Sequence, residues 1–125
     1  MSEFSIPGLR LGVAQAGIKH EGRDDLTLIE IAEGSSTAAV FTLNAFRAAP
    51  VVVAERNNAN QDARYILINS GNANAGTGKP GMNACEASCA AIAKLMNDVP
   101  NRVLPFSTGV TVSYTHLTLP TNSNV

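Results

Sequence analysis

The feature that most constrains the fold is one passage, residues 65–97, in which an apolar run leads through small polar residues into a helical pattern. The run RYILINS is typical of a strand. The stretch NSGNANAGTGKPG that follows is rich in Asn and Gly, which tolerate the left-handed backbone needed where a strand turns into a helix. We therefore predict a strand, a turn and a helix in succession.

The helix is predicted over residues 84–97, with Asn83 as its N-cap and Glu86 at the capping-box position. Pro100 follows as a stop signal. Apolar residues recur at spacings of three and four and predict one buried stripe. The stripe consists of Met82, Cys85, Cys89, Ile92 and Met96.

The two cysteines, Cys85 and Cys89, lie one helical turn apart on this stripe. Two thiolates could in principle face one metal ion, but they would leave a tetrahedral site half empty, and no histidine is near in sequence. Two cysteines also make no disulfide framework. Since buried free cysteine behaves as a small hydrophobe, we predict two core residues and no metal site.

The earlier part of the chain is predicted to form strands separated by turns. In LTLIEIAE, Leu26 and Leu28 share one face, and Ile29 and Ile31 share the other. The continuous apolar run of residues 51–54 is interpreted as a strand covered on both faces. The predicted strands are LRLGVAQAGIK, LTLIEIAE, TAAVFTLN, APVVVAER and RYILINS.

Composition excludes several function classes. The chain has 125 residues, 45% hydrophobic and 15% charged, with a net charge of −1, which suits one domain with a modest core. A net charge this small gives no electrostatic reason to expect binding to nucleic acid or to an anionic membrane surface. The sequence contains no run of roughly eighteen apolar residues and no secretory signal pattern, so we expect no membrane partner and a cytoplasmic location.

The Asn-Gly loop has two interpretations: it only turns the chain, or its backbone is shaped for chemistry. A phosphate loop is disfavoured because Ala73 stands where a Walker motif needs Gly, and Pro80 stands where it needs Ser or Thr. The dinucleotide spacing G-x-G-x-x-G is also absent. An amide-rich turn remains, and a free-standing small domain that binds an anion with this loop is one hypothesis for the function.

A second stretch of small residues, VLPFSTGV, follows the helix. Thr108 and Gly109 at a strand end can offer a hydroxyl and a backbone N–H to one point, as a tetrahedral oxyanion requires. Ser-Thr-Gly is equally an ordinary turn sequence, so the residues alone leave both interpretations open. Ser107 is disfavoured as a nucleophile because Pro105 occupies the first Gly position of a G-x-S-x-G elbow.

Five blocks, in this order, resemble the ornithine acetyltransferase family, the glutamate N-acetyltransferases of arginine biosynthesis. The resemblance covers about residues 6–110 and identifies the chain as similar to the N-terminal part of that family's α chain. The blocks are AGIK (16–19), VFTLN (40–44), RAAPV (47–51), INSGNANAGTG (68–78) and STGV (107–110).

The resemblance implies an enzyme that moves acetyl from N-acetylornithine to glutamate, with acetyl-CoA as a further donor in some members and no cofactor or metal. It implies a precursor that cleaves itself at an Ala-Thr bond into α and β chains, which assemble as an α2β2 heterotetramer. The freed threonine of the β chain is the implied nucleophile. The implied fold is of the α+β class, a partial α/β/β/α sandwich of the self-processing, N-terminal-nucleophile-like kind that is truncated here, with Thr108 and Gly109 as the oxyanion hole.

The chain departs from the family's pattern after STGV. The self-cleavage segment, a Lys-Gly-rich stretch ending in Ala-Thr-Met, is absent. The stretch VSYTHLTLPT instead resembles the translation of a transposon-end adapter used in sequencing libraries, although its residues also favour a strand. We therefore divide the chain into a family segment, residues 1–110, and a non-family tail, residues 111–125, in which Tyr114 and His116 have no function. The chain by itself is expected to be inactive and poorly stable.

Overall fold

The computed structural model describes residues 6–15 and 25–110. Residues 32–48, between β2 and α1, form neither helix nor strand. No helix in the described ranges has the length and apolar character needed to cross a membrane. The elements in chain order are β1 Leu9–Ala14, β2 Leu26–Ile31, α1 Ala49–Asn60, β3 Tyr65–Asn72, α2 Gly78–Leu95, a 3-10 turn Pro100–Arg102 and β4 Val103–Val110.

The four strands form one mixed sheet in the order β1-β2-β3-β4. The first three strands pair antiparallel, whereas β3 and β4 pair parallel. Parallel neighbours require a long crossover connection, and α2 supplies it between β3 and β4. The strand, turn and helix predicted for residues 65–97 are therefore the crossover unit of this sheet.

Both helices pack against β4 and against each other, and they cover one face of the sheet. The predicted stripe of α2 is confirmed, because Cys85 and Cys89 are buried in the main core and Met82, Ile92 and Met96 pack against that core. Both cysteines are free, as predicted for core residues. The main core consists of Ala49, Val53, Tyr65, Leu67, Cys85, Cys89, Ala93 and Val103.

The opposite face of the sheet is apolar and partly exposed, although Leu104 of β4 lies on it and is buried in a small second cluster with Ala54 and Ala63. The predicted alternation of β2 is confirmed, because Leu28 pairs with Leu67 on the helix side while Ile29 pairs with Ile66 on the other side. On that second face Leu11 is 67% exposed and Phe106 is 38% exposed. One sheet covered by one helix layer corresponds to half of the predicted α/β/β/α sandwich.

The strands predicted at residues 37–44 and 49–56 are wrong. Residues 49–60 form α1, and residues 37–44 lie in the segment without regular structure. A short apolar run does not distinguish a buried strand from a buried helix by periodicity, and the valines of α1 were compatible with both. Two signals favoured the helix: Pro50 lies in its first turn, and Ala49, Val53 and Asn57 recur every four residues on its buried side.

The predicted start of α2 is also wrong, because the helix begins at Gly78 rather than residue 84. Pro80 lies within the first turn, where a missing N–H costs no helical hydrogen bond. Asn83 is consequently inside the helix and not its cap. Glu86 makes an ion pair with Arg56 of α1 at 3.0 Å, so it joins the two helices instead of closing a capping box.

Asn57 connects α1 to the start of β4. Its side chain is 1% exposed, and its Nδ2 donates to the carbonyl oxygens of Pro100 at 3.3 Å and Val103 at 2.9 Å. Buried carbonyls that lose their donor are destabilising. This amide therefore fixes the helix against the parallel edge of the sheet.

We expect Asn57→Ala to lower the free energy of unfolding by about 1–3 kcal/mol, because the buried Val103 carbonyl and the partly buried Pro100 carbonyl lose this donor. Asn60→Ala, at the exposed end of the same helix, is the matched control and should change stability little. Urea unfolding of the 125-residue chain, followed by circular dichroism, measures both. Equal midpoints for the two variants would contradict the role given to Asn57.

The exposed apolar face predicts that the chain by itself self-associates, since large apolar patches and open strand edges promote association. Leu11→Lys should reduce the associated fraction seen by sedimentation velocity. Leu95→Lys is the control, because Leu95 is 75% exposed but belongs to α2. A monomeric wild-type chain with a sharp cooperative melt would contradict this prediction.

Candidate functional site

Thr108 and Gly109 lie near the end of β4, inside the strand. They pair in parallel register with Ser70 and Gly71 of β3. Because β4 continues to Val110, the alternative interpretation of Ser-Thr-Gly as an ordinary turn is wrong. The Thr108 side chain is exposed, and its Oγ1 donates to the Asn69 carbonyl oxygen at 3.4 Å.

Strand alternation separates Thr108 from Ser107. Consecutive side chains point to opposite faces of a sheet, so Ser107 and its register partner Asn69 face the helices. Thr108 and its partner Ser70 face the exposed apolar side. Ser70 could not be selected from the sequence, because only the parallel register of β3 with β4 shows that it adjoins Thr108.

A cavity of about 300 Å³ lies on the helix side of this pair of strands. Its polar lining includes Asn69, Asn74, Ser88 and Ser107, and no side chain that lines it is charged. The Asn69 Oδ1 atom is buried and accepts no hydrogen bond within the described part of the chain. The sheet separates this cavity from the Thr108 hydroxyl, so the two do not form one site.

The cysteine pair borders the same cavity through Cys85. A hydrogen bond with Cys89 lowers the pKa of the Cys85 thiol, although burial opposes that change. The same bond, together with burial, raises the pKa of Cys89. The described ranges contain no cluster of three or more His, Cys, Asp or Glu residues that could hold a metal ion. The pair is thus part of the packing between α2 and the sheet.

The loop in the Asn-Gly stretch is shorter than the sequence suggested. The first residues of the stretch belong to β3, and its last residues belong to α2. Residues 73–77 connect them, and Asn74 has a φ of 56°. Its Nδ2 donates to the Gly81 carbonyl oxygen at 2.9 Å, and its side-chain oxygen accepts the Thr77 hydroxyl. Its own carbonyl accepts the Ala49 N–H at 3.3 Å. Asn74 therefore joins the first turns of both helices.

The sequence profile of the ArgJ family matches residues 10–119. This chain belongs to the ArgJ family. The match includes most of the chain and runs nine residues beyond Val110, so the proposed boundary at residue 110 stays a prediction.

Relatives support the same membership. The "Arginine biosynthesis bifunctional protein ArgJ" of Methylococcus capsulatus is 60% identical over 109 residues, which are 87% of this chain and 26% of the relative. The protein of the same name from Pseudomonas syringae pv. tomato is 52% identical over 105 residues, with 84% of this chain and 26% of the relative covered. The chain thus spans about a quarter of the length of these curated relatives.

Two solved structures share the fold. The bifunctional ArgJ protein of Bacillus halodurans superposes with a TM-score of 0.79 at 32% identity, covering 88% of this chain and 58% of that one. The ornithine acetyltransferase of Mycobacterium tuberculosis, solved in complex with ornithine, gives 0.78 at 32%, covering 86% and 58%. The predicted fold class is therefore confirmed, with this ArgJ-family chain forming part of the complete fold.

In this ArgJ-family chain, Gly81 is required by the contacts of the Asn74 turn. A Cβ at Gly81 would overlap the Thr77 side chain and the Asn74 Oδ1 atom. We expect Gly81→Ala to lower the free energy of unfolding by about 1–3 kcal/mol, as overpacking typically does. Gly12→Ala is the matched control, because its Cβ would meet no atom within 4 Å. Urea unfolding compares the two, and equal midpoints would contradict the packing described for this turn.

Proposed function

We propose that this chain is most of the N-terminal half of the α chain of a glutamate N-acetyltransferase of arginine biosynthesis. Membership in the ArgJ family is the observation that carries the proposal. The whole protein would transfer acetyl from N-acetylornithine to glutamate through an acyl-enzyme, with acetyl-CoA as a further donor if it is bifunctional. It would act in the cytoplasm, without a cofactor.

In this proposal Thr108 and Gly109 form the oxyanion hole. When a nucleophile attacks the acetyl carbonyl, the carbonyl oxygen gains negative charge, and a hydroxyl and a backbone N–H stabilise it. Two observations support the role of Thr108: its side chain is exposed on the sheet face not covered by the helices, and its hydroxyl makes one long hydrogen bond of 3.4 Å. A bond of that length is weak, so the hydroxyl can turn to a substrate at little cost.

The nucleophile is proposed to come from a part of the enzyme beyond this segment. The family's self-cleaving Ala-Thr bond would release it as the first residue of a β chain, which would remain bound to the α chain in an α2β2 assembly. The exposed apolar face, with Leu11 and Phe106, supports a large apolar partner for this side of the sheet. The site of acyl transfer would then lie in the space between that partner and the end of β4.

We also propose that residues 1–110 are the family segment and residues 111–125 a tail of other origin. The genomic sequence after Val110 tests this. A downstream reading frame that encodes an Ala-Thr-Met segment supports the enzyme. A stop codon within a few codons would overturn it and favour the alternative function, a small free-standing domain that binds an anion with the Asn-Gly loop.

A full-length enzyme for kinetics can be made by joining residues 1–110 to the remaining portion of the Methylococcus capsulatus relative, which is 60% identical in the shared part. In it, Thr108→Ala should lower kcat by about a hundredfold, the usual cost of one oxyanion donor. The KM for glutamate should change much less, because the stabilised charge exists mainly in the transition state. Thr108→Ser, which keeps a hydroxyl, should retain more activity.

Steady-state kinetics on the processed enzyme measures these values, with the unsubstituted 125-residue chain as the inactive reference. A change in kcat of less than about threefold for Thr108→Ala, against the hundredfold expected for a lost donor, would overturn the oxyanion assignment. Acetyl transfer by the 125-residue chain by itself would overturn the proposal that the nucleophile lies outside it.

A further inference from the structure

Ser70 and Thr108 are register partners on neighbouring parallel strands. Register partners on parallel strands point to the same face, and here that face is the exposed apolar side of the sheet. Both side chains are exposed. Two hydroxyl groups therefore stand side by side at the end of an otherwise apolar surface.

The Thr108 side chain leans towards Ser70. Its hydroxyl donates to the Asn69 carbonyl oxygen at 3.4 Å, and that carbonyl belongs to the peptide unit joining Asn69 to Ser70. The backbone of Ser70 is itself fixed, because its N–H donates to the Asp25 carbonyl oxygen at 2.9 Å. The position of Ser70 relative to Thr108 is thus set by backbone hydrogen bonds on both sides of β3.

The Ser70 hydroxyl makes no hydrogen bond to another group within residues 6–15 and 25–110. A hydroxyl on an apolar surface that a partner or substrate covers is costly unless it finds an acceptor. Neighbouring strands lie about 4.8 Å apart, and hydroxyl hydrogen bonds measure about 2.8 Å, so one oxygen atom between the strands can accept from both side chains.

We propose that Ser70 is a further substrate-contacting residue, whose hydroxyl donates to the same acyl oxygen as Thr108. This inference rests on the proposed function, since it requires an acyl oxygen at Thr108. Ser70 breaks and forms no covalent bond. Its hydroxyl is a third donor beside the Thr108 hydroxyl and the Gly109 N–H, and the acyl oxygen between the strands replaces the Asn69 carbonyl as the acceptor of the Thr108 hydroxyl.

The test uses the full-length enzyme defined above, with Ser70→Ala, Ser70→Thr and Ser107→Ala. Ser70→Ala should lower kcat about tenfold with a small change in KM, because a hydrogen bond to developing charge is lost while two donors remain. Ser70→Thr keeps the hydroxyl and should restore most of kcat. Ser107→Ala is the control from the opposite face of the same sheet and should leave kcat unchanged.

The Ser70→Ala change is then repeated in the Thr108→Ala background. A direct contact predicts a further loss of kcat there, whereas a Ser70 that acts only by holding Thr108 predicts no further loss and would overturn the inference. An unchanged kcat for Ser70→Ala in the unsubstituted background would also overturn it. The Thr108→Ala value alone tests the oxyanion assignment, so failure of the proposed function and failure of the Ser70 inference give different results.

Discussion

The parallel pairing of β3 with β4 is the constraint on which the other described features depend. Because parallel strands cannot be joined by a hairpin, the chain between them must cross over the sheet, and α2 makes that crossing. The crossing places the apolar stripe of α2 on one face. It also brings the end of β3 and the end of β4 to the same edge of the sheet, which is where the small polar residues of both strands accumulate.

The two faces of the sheet differ in what covers them. The helix side is closed by tight contacts, such as the hydrogen bond from the Asn57 amide to the Val103 carbonyl of β4 and the packing of Cys85 and Cys89 of α2. The other side carries apolar residues that remain exposed, together with the hydroxyls of Ser70 and Thr108. In the proposed function the reacting groups therefore lie on the surface opposite the helices, so the helix packing does not obstruct access to the strand ends.

Much of this arrangement could be predicted from the sequence where the periodicity was clear. The alternation of β2 and the stripe of α2 each match one period over several residues, and both are confirmed. The valines of α1 gave no such period, because three β-branched residues in succession suit a buried strand as well as a helix. The position of Pro50 and the four-residue spacing of Val53 and Asn57 favour the helix, and the contacts that Val53 and Asn57 make with residues distant in sequence stabilise it.

Sequence patterns also predicted the candidate site only in part. Thr108 and Gly109 could be selected from the sequence by their chemistry and by the family resemblance, and their assignment remains a proposal. Ser70 could not, because a strand register joins residues 38 positions apart, and no local pattern specifies which residue of β3 lies beside Thr108. The loop between β3 and α2 was also misjudged, since Gly and Pro residues that usually interrupt helices here form the first turn of one.

Alternation along β4 has a consequence for how this segment can vary in evolution. Thr108 faces the open side only because it lies an odd number of residues after Val103, which is buried against the helices. Inserting or deleting one residue between them would turn the threonine hydroxyl into the core and Ser107 outwards. Substitutions by residues of similar size are tolerated along this strand. The number of residues between Val103 and Thr108, however, can change only by an even number if Thr108 is to keep its face.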